Sequence, residues 1–128
     1  MKQIQTDKAP AAVGPYSQAV VSHGLVYTSG QIAIDPVTNT VKGTTITEQT
    51  EQIMKNLKAV LEEASSGFDL AVKTTCFLAD MNDFAAFNEV YGKYFTSLPA
   101  RSCVAVKTLP KGVLAEVEVI AEVADYSY

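Results

Sequence analysis

The amino-acid sequence predicts an α+β fold: a mixed β-sheet in the element order β-β-β-α-β-α-β-β, with two helices packed on one face. Three observations predict it. Short β-favouring runs broken by Gly, Pro and Asn fill the first third of the chain. Two later segments repeat apolar residues at helical spacing, and the chain closes on an apolar–charged alternation from Ala115 to Val123. At 128 residues and 48% apolar, the chain has the size and composition of one domain over 1–128.

Lys2 to Gln5 reads as a short edge strand, followed by a loop around Pro10 and a rigid corner at Gly14-Pro15-Tyr16. Ala19 to Ser22 and Leu25 to Ser29 are joined by His23-Gly24, a two-residue link that indicates a tight hairpin. Gly30 after the second run suggests a bulge or a close backbone approach. Asp35-Pro36-Val37-Thr38-Asn39 reads as a turn. Thr47 is the expected cap of the first helix, with Glu48 in its first turn. Ile53, Leu57, Val60, Leu61 and Ala64 recur at helical spacing, and Gly67 is the expected stop.

Val72 to Leu78 is the next strand, with Val72, Thr74, Cys76 and Leu78 on one face. The second helix is expected to start near Asp80 to Asp83, to carry Phe84, Phe87, Tyr91, Tyr94 and Phe95, and to stop before Pro99. Ser102 to Val106 and Ala115 to Val123 are the last two strands, expected to be neighbours because only a short Leu109-Pro110-Lys111-Gly112 link joins them. Two helices leave the other sheet face bare. Apolar groups on both sides of the 102–106 strand, together with Phe77, make that face unsuited to water, so a homo-oligomer is expected to cover it.

Composition narrows the chemistry. A formal charge of −4, without a lysine cluster in sequence, gives no overall field for nucleic acid. No apolar run approaches the roughly 18 residues of a membrane span, and the N-terminus has no signal-peptide core, so a cytoplasmic protein is expected. Cys76 and Cys103 read as free thiols inside strands. The one histidine, His23, lies in a hairpin turn, so a histidine triad or His-rich metal site is not expected. The sequence holds no CxxC pair and no phosphate-binding glycine loop. Arginine, carboxylate, hydroxyl and backbone groups remain.

Arg101 is the only arginine, at the mouth of a strand, where it can present a planar fork to a carboxylate or phosphate. On the last strand Glu116, Glu118, Ile120 and Glu122 share one face, and Val117, Val119, Ala121 and Val123 the other. That charged face reads either as solvated or as placing one glutamate in an intersubunit cleft near Arg101. A glutamate beside a bound anion has a raised pKa and can hold or deliver a proton near neutrality.

Four segments in order, Gly14-Pro15-Tyr16-Ser17-Gln18-Ala19, Ser29-Gly30-Gln31-Ile32, Pro99-Ala100-Arg101-Ser102 and Leu109-Pro110-Lys111-Gly112 with Glu116-Val117-Glu118 after it, resemble the Rid/YjgF family of enamine/imine deaminases. The resemblance runs from about residue 4 to residue 124. It implies a chorismate-mutase-like fold and a homotrimer with a barrel-like centre and three clefts between subunits. It also implies hydrolysis of 2-aminoacrylate and 2-iminobutanoate, released by pyridoxal-phosphate dehydratases, to 2-oxo acids and ammonia, with no cofactor or metal.

Residue by residue, the resemblance makes Arg101 the carboxylate-binding arginine and Glu116 the carboxylate for water and proton handling. Tyr16, Ser29 and Asn88 become pocket-lining positions, with Gly30 beside Ser29, and Cys103 a position whose main chain contacts ligand. Leu98 stands where many relatives have an aromatic, and the tail Asp125-Tyr126-Ser127-Tyr128 overruns the usual end. A ribonuclease that inhibits translation and a non-catalytic carboxylate sensor or chaperone are the alternative readings. Glu116 separates the last from an enzyme, because a pure anion binder gains nothing from a nearby carboxylate.

Overall fold

In the computed structural model, which describes residues 1–124, the expected strands and helices form in the expected order. The strands are β1 (Lys2–Ile4), β2 (Ala19–Ser22), β3 (Leu25–Thr28), β4 (Ile34–Asp35), β5 (Thr40–Val41), β6 (Ala71–Leu78), β7 (Ala100–Ala105) and β8 (Ala115–Glu122). The helices are α1 (Ile46–Glu63) and α2 (Phe84–Tyr94). Six strands make one sheet in the order β1-β2-β3-β8-β6-β7, and β4 with β5 makes a separate hairpin from the predicted 35–39 turn. The tail 125–128 lies outside the described residues.

Local chemistry explains the elements. His23 and Gly24 both take positive φ, 53° and 80°, as the tight β2–β3 hairpin requires. α1 starts two residues before the expected place. Thr45, not Thr47, caps it: Thr45 is extended, its hydroxyl accepts from the Glu48 N–H at 3.2 Å, and the Glu48 carboxylate accepts from the Thr45 N–H at 3.2 Å. Gly67 does not end the helix, since its φ of −173° is ordinary extended backbone. Ser65 takes the left-handed position at φ 59°, and the Ser66 N–H closes on the Leu61 carbonyl at 2.8 Å.

Both helices pack on one sheet face. Ile53, Leu57, Val60 and Leu61 of α1 and Phe87, Val90 and Tyr91 of α2 join Val26, Cys76, Leu78, Val117 and Val119 in one core. The alternation of β8 holds: Val117, Val119 and Ala121 are buried, whereas Glu116, Glu118 and Ile120 are half-exposed on the bare face. On β6 the alternation holds from Thr74 to Leu78 but fails at Val72. A register shift between Ala71 and Lys73 turns Ala71 inward and leaves Val72 exposed.

The last two strands are not neighbours, contrary to the expectation from their short link. β6 lies between them, antiparallel to β8 and parallel to β7. The reason is the α2 crossover. A strand–helix–strand unit returns its second strand parallel to the first, so β7 pairs with β6. Leu109 to Gly112 then spans β6 rather than turning a hairpin. β7 becomes an outer strand and begins at Ala100, two residues before the expected start, which places Arg101 in register with Thr74. The bare sheet face, with Val104 48% exposed, has no cover among the described residues.

Candidate functional site

The expected site residues fall into two groups on opposite faces of the sheet. The first surrounds Glu116. Its carboxylate lies over Gly30, where the backbones of the two segments are tied by a reciprocal pair of bonds: Gln31 N–H to the Val117 carbonyl at 2.9 Å, and Val117 N–H to the Gln31 carbonyl at 3.1 Å. A Cβ on Gly30 would collide with the Glu116 carboxylate, so glycine is needed here for the close approach rather than for an unusual φ. Next to it, the Ser29 hydroxyl donates to the Ser17 carbonyl at 2.6 Å and fixes the loop that carries Tyr16.

Tyr16, Ser29, Gly30 and Glu116 line one cavity of about 460 Å³, with Lys111 at its rim. Lys111 holds a left-handed φ of 57° in the link before β8. Tyr16 is 53% exposed, so its ring is available to a ligand. Burial, and secondarily the charge of Glu118, push the Glu116 pKa above the ordinary carboxylate value. Glu116 is thereby disposed to exchange a proton closer to neutrality.

The second group surrounds Arg101, on the helix side. Its Nη1 donates to Asn88 Oδ1 at 2.7 Å. The guanidinium carbon lies 4.8 Å from the centre of the Tyr91 ring and 5.4 Å from that of Phe84. No carboxylate among the described residues comes within ion-pair distance of it. A half-buried cation held by neutral groups alone, with part of its fork unoccupied, is suited to an incoming anion.

Cys103 is next on this face of β7, in register with Cys76 on β6. Both thiols are free. Burial pushes Cys76 up to about 12, and burial also raises Cys103, so neither is a ready thiolate nucleophile. Leu98, in the loop leading to Arg101, is 87% exposed at a left-handed φ of 57°.

One chain does not bring Arg101 to Glu116. In the sheet register Glu116 pairs with Phe77, Phe77 with Val104, and Arg101 lies three residues before Val104. Glu116 faces the bare side and Arg101 faces α2. Tyr16, Ser29, Gly30 and Glu116 are thus together, and Asn88, Arg101 and Cys103 form a separate set. Phe84, Tyr91 and Thr74 around Arg101 were not expected as site residues. A signal was there in the spacing of Phe84 and Tyr91 on either side of Asn88, one stripe of α2, but in sequence the two aromatics read only as part of the helix's run of aromatics.

The motifs carry a family relationship. A family model described as Endoribonuclease L-PSP matches residues 6–123. A RutC family protein of Synechocystis is 55% identical over 124 residues, covering 94% of this chain and 95% of the relative. A Mus musculus protein named 2-iminobutanoate/2-iminopropanoate deaminase is 48% identical over 121 residues, covering 94% and 90%. Among solved structures, YyfA of Yersinia pestis, described as of the conserved Rid protein family, superposes with a TM-score of 0.93 at 47% identity, covering 95% of this chain and 98% of its own. With its motifs, topology and sequence all in agreement, the chain belongs to the Endoribonuclease L-PSP family, the Rid/YjgF family.

Proposed function

We propose that this protein hydrolyses reactive 2-imino and 2-enamino acids to 2-oxo acids and ammonia, in clefts between the subunits of a homotrimer. The observation that carries the reading is the separation of two complementary half-sites. Among the described residues Arg101 has a free guanidinium edge and no carboxylate partner, and Glu116 lies in a cavity with no arginine. A neighbouring copy that brings its Arg101 to this cavity completes a site for a small carboxylate. The bare sheet face, with Val104 exposed, is the surface such a copy covers. The mouse relative named as a deaminase supports the substrate class.

The chemistry follows from these groups. Arg101 holds the substrate carboxylate in two-point contact. A protonated imine is already electrophilic, so it needs only an oriented water and a route for protons. The Glu116 carboxylate takes a proton from water as its oxygen bonds to the imine carbon, and the C=N π electrons move to nitrogen. The same proton then goes to nitrogen, and as the C–N bond breaks the Glu116 carboxylate takes the hydroxyl proton, so that ammonia leaves a neutral carbonyl behind and Glu116 returns its proton to ammonia or solvent. An enamine enters the sequence after protonation at its β-carbon. Tyr16, Ser29, Gly30 and Asn88 shape the pocket around these two groups, and the Cys103 main chain borders it. The pyridoxal-phosphate dehydratases are the functional partners, as the source of such imines.

The test adds the purified protein to a threonine dehydratase reaction and follows 2-oxobutanoate. Acceleration of 2-oxo acid release supports the reading. An unchanged rate over a wide range of protein concentration contradicts it. A Glu116→Gln variant refines the result: it is expected to retain or tighten calorimetric binding of 2-oxobutanoate while losing about 10²–10⁴-fold in hydrolysis. Ribonuclease activity is not expected, given the charge of −4.

A further inference from the structure

We propose that one stripe of α2, together with Thr74, is an aiming device for Arg101, and that Phe84 and Tyr91 are positioning residues of the anion clamp. The inference rests on the reading of Arg101 as that clamp. Phe84, Asn88 and Tyr91 are spaced i, i+4 and i+7, so they stand in line on one side of the helix. All three meet the same guanidinium: Asn88 as a hydrogen-bond acceptor at 2.7 Å, Tyr91 and Phe84 by their rings at 4.8 and 5.4 Å. Asn88 is the one hydrogen-bond partner of the Arg101 side chain among the described residues, and it uses Nη1. The Nη2 and Nε edge is left for a carboxylate.

The ring under Arg101 is itself fixed. Tyr91 is buried, its hydroxyl is 2.7 Å from Thr74 Oγ1, and Thr74 is the residue in register with Arg101 on the adjacent strand. Tyr91 also stacks on Phe95 at 4.5 Å between ring centres. The clamp is thus closed in a loop from Arg101 through the Tyr91 ring and Thr74 back to the Arg101 backbone. A neutral aromatic and amide surround has a particular consequence. It holds a cation without neutralising it, so the full charge stays available to substrate. A carboxylate in the same place would orient the arginine equally well but would compete with the ligand.

Phe84→Leu and Tyr91→Leu remove the ring while keeping apolar bulk, and Tyr91→Phe keeps the ring and removes the hydroxyl. Binding of 2-oxobutanoate is measured by calorimetry on the assembled protein, beside melting temperature and an Arg101→Lys control. Each leucine variant is expected to weaken binding by about tenfold, and Tyr91→Phe, which keeps the ring but loses its tie to Thr74, to restore only part of it. In the dehydratase-coupled assay the leucine variants are expected to raise KM more than they lower kcat, since the carboxylate contact persists throughout the reaction. Leucine variants that melt lower yet bind 2-oxobutanoate like wild type, while Arg101→Lys loses binding, overturn the aiming role and leave the clamp intact. Arg101→Lys with wild-type binding overturns the clamp and the aiming role with it. If Tyr91→Leu does not fold, the half-buried Phe84→Leu decides between these outcomes alone.

Discussion

Arg101 and Glu116 carry opposite charges that their own chain leaves apart, and their surroundings give each a different task. Around Arg101 the contacts among the described residues are neutral, and a lysine in its place would keep the charge and lose the two-point geometry. Arg101→Lys is therefore expected to fold normally and to lose most turnover of 2-iminobutanoate, at a cost on the order of 2–5 kcal/mol in the clamp. Circular dichroism with the coupled assay checks both halves, and near-normal turnover would remove the clamp.

Glu116 is the pH-sensitive partner. Its pKa is raised by burial and by Glu118, so in Glu118→Gln the Glu116 pKa falls, and the pH–rate limb that needs its carboxylate moves to lower pH. Stability has the opposite-facing consequence. A folded-state pKa above the unfolded one means that stability declines as pH rises through it. In the dissociated chain, where no neighbouring Arg101 reaches the cavity, Glu116→Gln is thus expected to melt higher than wild type near pH 8, with the difference fading below the unfolded carboxylate value, where both chains are neutral at this position. Differential scanning calorimetry at the two pH values reads it, and an unchanged difference across the range would contradict the raised value.

At the scale of elements, the site depends on close approaches that small residues permit. Gly30→Ala would place a methyl group where the Glu116 carboxylate lies. That carboxylate is the end of a flexible side chain, so it swings away at little structural cost. The expected result is a folded protein with hydrolysis reduced about a hundredfold, comparable to loss of general acid–base help. Wild-type activity in this variant would show that the carboxylate position is not critical.

Several elements were legible in sequence because one local rule dominated. The β8 alternation put Glu116 and Glu118 on one face and Val117 and Val119 on the other, as the structure has them, since nothing interrupts the strand. The α1 start was misplaced because Thr45 and Thr47 are both competent caps. Thr45 wins because Glu48 stands three residues on and closes the reciprocal box. The Val72 face was lost to a bulge, which leaves no mark in an unbroken β-favouring run. The face of Arg101 was not legible either. It depends on β7 returning parallel beside β6, a consequence of the whole β6–α2–β7 crossover rather than of any residue near Arg101.

At the scale of the whole molecule, the chain has a finished core and, on the proposed reading, only the two halves of a site. The helix side is filled, while the opposite sheet face stays open and the two half-sites are turned away from each other. On the function proposed above, assembly of copies would resolve both at once, covering the face and pairing Arg101 of one chain with the Glu116 cavity of the next. A cyclic trimer is the expected species in sedimentation equilibrium at micromolar concentration, and a stable monomer would remove the shared site along with it.

The most direct test of a site shared between chains is complementation. Arg101→Lys and Glu116→Gln proteins are each inactive on this account. Unfolded together and refolded as mixed trimers, they regenerate some clefts in which the intact arginine of one chain meets the intact glutamate of another. Random mixing in equal amounts gives about a quarter of the clefts both native groups. Recovery of about a quarter of wild-type hydrolysis in the dehydratase-coupled assay is the predicted result. Mixed trimers that form and stay as inactive as their parents would contradict it.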